Sequence, residues 1–362
     1  AQAISGSSAG LPEVTLPCSG GAQGPPPVRR VSSRGAFGAM SSIRPAGRDA
    51  ELFNDETFRQ LRAFAQVPDD FVNDGWDLDQ LQNGGGKGGT LMARVGACYI
   101  VKELSKGDHA TLLQVSGSYA QHIRSGDTIL CPIYLHFRDK GTGRFFFAMR
   151  NAIGSGPFRA LYDLKGCADD KLLERDGEPV KAVHKRIWNV GMWFGQSSWS
   201  AERRCYFAGK VEARSVSVDL TAEQREKCLA AIDRDTQWLA EQRLMDYSLL
   251  VGIKELPAGH SATGGRGPSS LGDCRFVHRG TDGRDVAVHI TIIDFLQKWT
   301  AGKRVARVIK FAECNKATIP PAMYGRRFAA HFAQHLVALP ADAEDAASPG
   351  GRAVPGAVAP PA

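Results

Sequence analysis

The chain is 362 residues long, 43% hydrophobic and 23% charged, with 45 Lys and Arg against 38 Asp and Glu and a formal charge of +7. This is the composition of a globular protein and excludes disorder throughout; no window approaches the ~18 consecutive apolar residues of a spanning helix, and no charged-then-apolar leader opens the sequence. Eight scattered cysteines without a CxxC pair read as reduced packing thiols, and the positive charge asks for an anionic partner, either nucleic acid or acidic membrane.

Residues 1–48 are rich in Gly, Ser, Ala and Pro and carry no apolar period, so they cannot repay their ordering entropy and are expected to be disordered. A helix is predicted over Asn54 to Gln66, where Phe58, Leu61, Arg62, Phe64 and Ala65 give an approximate 3.6-residue period behind Asn54 or Asp55 as cap. After Gly84 the texture turns to short β-rich runs, Thr90 to Arg94, Cys98 to Leu104, Ile129 to Phe137 and Arg144 to Asn151, expected to form an antiparallel sheet.

Farther on, Thr221 followed by Glu223 and Gln224 marks a helix start, and Leu229, Ile232, Trp238 and Leu239 carry that helix to Gln242. Two apolar runs, Tyr247 to Ile253 and Val286 to Ile293, have the length of buried strands, and residues 257–270 between them read as a flexible insertion. Residues 336–362, rich in Pro, Ala and Gly, are expected to be a disordered tail. A strand-rich first half and a mixed second half give an α+β fold.

Four stretches carry chemistry. Gly84 to Gly89, interrupted by Lys87, precedes a strand, a turn and then Lys102, so backbone amides and a strand lysine can converge on phosphate oxygens; the alternative is a plain glycine linker. Asp163, Leu164, Lys165 and Gly166 place a lysine beside a glycine, either a phosphate contact or a surface turn. Asp246 stands at the mouth of an apolar run, where an acid can position a hydroxyl or take its proton, or cap a turn. Asp294 closes the other apolar run and suits Mg²⁺, which takes hard oxygen and few protein carboxylates.

Between Lys298 and Arg327 lie eight Lys or Arg against one acid, Glu313, interspersed with Trp299, Ile309, Phe311 and Ile319. Each cation near an anionic leaflet contributes about 1 kcal/mol, and aromatic rings sit well at headgroup level. The alternatives are a solvated basic helix or a nucleic-acid contact.

Taken together, LMDYSLLVGI at Leu244 to Ile253, DLKG at Asp163 to Gly166 and IIDFLQKW at Ile292 to Trp299 resemble the phosphatidylinositol phosphate kinase family. Weaker matches run through GGKGG, YIVKEL and FFAMRN to MYGRRF at Met323 to Phe328, and the resemblance covers roughly residues 50 to 332. It implies a two-lobed lipid-kinase fold distantly related to protein kinases, with an N-lobe of about 49–152, a C-lobe of about 153–335, and ATP and Mg²⁺ between them.

Carried over by position, Lys102 resembles the ATP-phosphate lysine, Asp246 the catalytic aspartate, Asp294 the Mg²⁺ ligand and Lys165 a lysine near the phosphates. Gly86, Lys87, Gly88 and Gly89 would form the phosphate loop, Met149 to Asn151 the hinge beside adenine, and Asp163 a further nucleotide contact. Asp108 falls where the family has a helix glutamate. Lys298, Trp299, Lys303, Arg304, Ala306, Arg307 and Lys310 lie in the loop that meets membrane and chooses the lipid.

The resemblance implies transfer of the ATP γ-phosphate to a membrane phosphatidylinositol monophosphate by a cytoplasmic protein peripheral on the cytosolic face, the plasma membrane first. It allows a homodimer and gives no reason to expect nucleic acid. A 5-kinase of phosphatidylinositol 4-phosphate comes first, as the commonest activity; Ala306 points instead to a 4-kinase of the 5-phosphate. Cys167 in place of serine after DLKG, and Arg150 in the hinge, motivate a weakly active or inactive phosphoinositide-binding module as the alternative.

Overall fold

The first sheet grows from alternating strands joined by short turns. In the computed structural model, which describes residues 43–73, 76, 82–83, 91–183, 199–256, 274–279, 284–300 and 318–340, it contains β1 (Ala50–Leu52), β2 (Gln82–Asn83), β3 (Leu91–Val95), β4 (Tyr99–Leu104), β5 (Ile133–Asp139) and β6 (Phe145–Arg150). Their order is β1-β5-β6-β4-β3-β2, antiparallel throughout. Along β6, Phe146 and Ala148 face one apolar cluster with Phe71, Val72 and Trp76, while Phe147 faces the other with Phe58, Leu61 and Leu112. Both faces are thus covered.

Helix α1 (Asp55–Phe64) and helix α2 (Lys106–Arg124) back this sheet. Asn54 precedes α1 in a left-handed conformation, φ 50°, and does not cap it; its amide donates instead to Leu113 O and Ser116 Oγ of α2. Arg62 lies on the buried side of α1 because its guanidinium is spent on Asp69 (2.7 Å), Asp55 (3.1 Å) and the Tyr134 carbonyl (2.9 Å).

The second sheet contains β7 (Ala160–Leu164), β8 (Lys171–Arg175), β9 (Glu178–Pro179), β11 (Ser248–Glu255), β12 (Cys274–Arg279) and β13 (Asp285–Ile293), in the antiparallel order β12-β13-β11-β7-β8-β9. Central β11 buries Leu249 and Val251 completely, and truncating either to alanine would cost about 2–5 kcal/mol. Helix α3 (Ala201–Ser215) packs on β8 at Gly209, where an added Cβ would come within 3.2 Å of Leu172. Helix α4 (Ala222–Glu241) starts with the expected capping box, Thr221 and Gln224 bonding each other's backbone. It packs against α5 (Pro321–His335).

Three expectations are corrected. The run from Ile129 becomes a strand only at Ile133, because Cys131 N donates to Ile292 O (2.9 Å) and Ile292 N to Ile129 O (2.7 Å), drawing this stretch onto β13. Buried Asp235 of α4 holds it there, accepting from Thr128 Oγ1 (2.7 Å), Ile129 N (2.8 Å) and His122 Nε2 (2.6 Å). Residues 336–338 are not part of a disordered tail: Leu336–Ala338 is a strand, β14, paired in parallel with β10 (Val218–Leu220), and Leu336 is buried. At the other end, Pro45–Gly47 is a 3₁₀ turn fastened by Ala46 N to Val72 O (3.0 Å), so order begins before residue 49.

Both sheets belong to one compact unit that starts at Ser41. No described helix is long and apolar enough to cross a membrane. The insertion expected at 257–270 lies outside the described residues.

Candidate active site

Antiparallel pairing decides where the two acidic signals meet. Ser248 opposes Ile293 and Leu249 opposes Leu164. The end of β7, the start of β11 and the end of β13 therefore coincide, and Lys165, Asp246 and Asp294 emerge there from three neighbouring strands. Both aspartates sit at left-handed kinks, φ 65° at Asp246 and φ 58° at Asp294. Aspartate tolerates that region better than most residues, and such conformations persist only where the surroundings over-determine them. Here Met245 and Tyr247, on either side of Asp246, are completely buried, and Met245 N donates to Gln297 O (3.0 Å) while Trp299 N donates to Arg243 O (2.9 Å).

Lysines answer these acids. Lys165 Nζ donates to Asp246 Oδ1 (2.5 Å) and to the Asp246 carbonyl (2.8 Å). Lys102, reaching from β4 of the first sheet, pairs with Asp294. Lys171 of β8 pairs with Asp163 of β7 at 3.2 Å. Partial withdrawal from water would by itself lift the Asp294 carboxyl, but Lys102 first, with Lys165 and Lys171 behind it, holds it below the usual aspartate range. Burial pulls Lys165 down, yet Asp246, Asp163 and Asp294 outweigh it and keep the ammonium above its ordinary value. Lys171 is raised in the same way, by Asp163 against burial.

Asp294 also fits a hard divalent cation. Its carboxylate is ionised, its side chain remains 47% exposed, and Oδ2 makes no hydrogen bond among the described residues. A single such carboxylate, sharing the ion with phosphate oxygens, is the arrangement Mg²⁺ favours. No group of three or more His, Cys, Asp or Glu among the described residues is gathered to hold a metal by protein ligands alone.

Other expected residues fall differently. Asn151 is buried and its amide donates to Ala97 O (3.0 Å), while its N–H donates to Cys98 O (2.7 Å), so its side chain fastens the β3–β4 turn and is not presented to a nucleotide. Met149 packs on the core between Ile100 and Ile133. Asp163, expected at a nucleotide, is engaged by Lys171, with Oδ1 buried and lacking a hydrogen-bond partner among the described residues. Asp108 hydrogen-bonds Ser105 at the start of α2 (2.7 and 3.1 Å), and the carboxylate at Lys102 is Asp294.

Lys298 bonds Gln114 of α2, and Trp299 packs partly buried on the core. Gly86, Lys87, Gly88, Gly89, Lys303, Arg304, Ala306, Arg307 and Lys310 lie outside the described residues. Sequence reading passed over Lys171 and Asp170. Lys171 alternates along a short strand as any surface lysine would, and Asp170 sits in a four-residue turn whose composition signals only a turn.

The sequence profile of the phosphatidylinositol-4-phosphate 5-kinase family matches residues 76–273 and 260–335, more than half of the chain. Among curated proteins, phosphatidylinositol 5-phosphate 4-kinase type-2 gamma of Danio rerio is 26% identical over 210 residues, 56% of this chain and 45% of the relative. The protein of the same name from Xenopus tropicalis is 26% identical over 176 residues, 47% of this chain and 37% of that relative. The chain thus spans less than half the length of these relatives.

Proposed function

The chain belongs to the phosphatidylinositol phosphate kinase family, and from that premise we propose that it transfers the γ-phosphate of ATP to a ring hydroxyl of a phosphatidylinositol monophosphate in an anionic membrane. The observation that carries this reading is the convergence of Lys102, Lys165, Asp246 and Asp294, drawn from four separate stretches, on one end of three adjacent strands.

Phosphoryl transfer needs positioning and charge compensation more than covalent chemistry. Lys102 and Lys165 are two cations that can leave their aspartates for phosphate oxygens as charge spreads over the transferring group. Asp246, aimed by Lys165, orients the inositol hydroxyl and accepts its proton. Asp294 would hold Mg²⁺, which would supply charge neutralisation to the phosphates of ATP. Gly86 to Gly89 would contact the phosphates, and Lys303, Arg304, Arg307 and Lys310 would meet the bilayer, making the protein peripheral on the cytosolic face.

Two regiochemical readings follow. The family's name supports a 5-kinase of phosphatidylinositol 4-phosphate, the commonest activity; Ala306 and the names of both relatives support a 4-kinase of the 5-phosphate. Radiolabelled ATP turnover on vesicles carrying each monophosphate separately, with Asp294→Asn as blank and product isomers resolved, tests both. Label on one monophosphate, lost in the variant, supports the kinase and selects the ring position. No label on any lipid despite vesicle binding would replace it with the binding module.

A further inference from the structure

We propose that Asp170 is a positioning residue for this reaction, fixing the turn Lys165–Gly166–Cys167 in the shape that lets Lys165 grip Asp246. The inference rests on the kinase reading above and assigns a role to a buried carboxylate that reading does not use. Asp170 is 1% exposed. Its Oδ1 accepts from Lys165 N (2.6 Å) and Cys167 N (3.3 Å), and its own N–H donates to Cys167 O (3.1 Å).

The direction of these bonds separates Asp170 from an ordinary turn former. An Asx turn bonds the backbone just ahead of the side chain; Asp170 reaches back three and five residues, around a glycine at φ +66°. Lys171 follows at once and begins β8, where it pairs in register with Asp163. The carboxylate is therefore anchored to the sheet, and through its Oδ1 the Lys165 backbone takes the position of the sheet. Lys165 Nζ then donates to the main-chain carbonyl and to Oδ1 of Asp246, within 2.8 Å of each.

Oδ2 of Asp170 is buried and has no hydrogen-bond partner among the described residues. A buried carboxylate with one idle oxygen is costly. Retaining it buys nothing for a plain turn, which serine or asparagine at the surface would make; it is understandable where the geometry of Lys165 depends on it.

The test uses the full chain as Asp170→Ala and Asp170→Asn, the second keeping an acceptor oxygen in place. Amide hydrogen exchange at Lys165 and Cys167 is read first, then kcat and KM for ATP on vesicles of the monophosphate the wild-type protein uses. With alanine, both amides should exchange much faster and kcat should fall about 100-fold with KM nearly unchanged, the scale of misplacing a reacting group by an ångström. Asparagine should restore both. Should the alanine protein not fold, Asp170→Glu, which moves the oxygen by one methylene, carries the same expectation. Unchanged exchange, or fast exchange with undiminished kcat, would overturn the proposal. Absence of wild-type turnover on every lipid would count against the kinase reading alone, because exchange reads the hold on the turn without it.

Discussion

Lys165 holds Asp246 at two points, the carboxylate at 2.5 Å and the main-chain carbonyl at 2.8 Å. A single ammonium thereby fixes both where the acid's side chain points and the left-handed backbone that presents it. Replacing Lys165 by methionine removes the grip while keeping most of the stem's volume. Turnover should fall about 10²–10³-fold, as for loss of one preorganised electrostatic contact, and labelled-ATP kinetics on vesicles would register it. Retention of wild-type kcat would show that Asp246 aims itself.

The Lys102–Asp294 pair makes a pH-dependent contribution to stability whose sign is set by the depressed carboxyl. The folded value lies below the ordinary 3.8, so the contribution is fully present above 3.8 and is lost as pH falls through the folded value. Urea midpoints of wild type and Asp294→Asn, compared at pH 7 and at pH 3, should differ by a gap that narrows in acid. Because Asp294 is half exposed, solvent keeps that gap small.

Gly166 combines φ +66° with a neighbour, His331, whose Cβ and Cγ would lie 3.0 Å from an added Cβ. Gly166→Ala should cost about 1–3 kcal/mol, the range for a non-glycine residue held in that region. Adding His331→Ala should return only the part due to contact, leaving the backbone strain; full recovery would place the whole cost in the clash.

His331 itself is pulled down to about 4, first by burial, then by His335 and Arg327. Its ordinary value is 6.5, so the unfolded chain binds the proton first and stability should drop as pH falls from 6.5 towards 4. His331→Leu, measured by urea midpoint at pH 7.5 and 5, should flatten that drop.

Asp235 accepts three hydrogen bonds from His122, Thr128 and Ile129 in a fully buried position. Asp235→Ala leaves three donors without their acceptor and should cost about 3 kcal/mol or more, visible as a lower guanidinium midpoint. It should also loosen the 128–131 stretch that lies along the Asp294 strand, so exchange at Ile292 N–H should quicken before global unfolding.

The sequence carried much of this arrangement, for physical reasons that vary by element. Tyr247 to Ile253 and Val286 to Ile293 read as strands because fully buried strands are nearly continuous in Val, Ile and Leu, and an acid beside such a run can only be terminal. The capping box at Thr221 and Gln224 was legible because its chemistry is local. Helix α2 was not legible: KGDHATLLQVSGSYAQHIR holds two glycines, and its buried face carries the hydroxyls of Thr111, Ser116 and Tyr119, so packing, and not propensity, makes it helical. Helix α3 hides for the same reason, with Gly209 in its middle serving contact with Leu172. The grip of Asp170 on Lys165 is invisible in sequence, since it depends on the register of β7 with β8 and leaves no periodic trace.

Three lysines and three aspartates pair off at the strand ends, and their formal charges cancel. The +7 of the chain therefore lies elsewhere. On the proposed kinase reading, long-range attraction to an anionic surface and short-range capture of a polyphosphate would be separate functions of separate residues: salt should weaken the first strongly, while the second would proceed by partner exchange, each cation trading a carboxylate for a phosphate at nearly constant local charge.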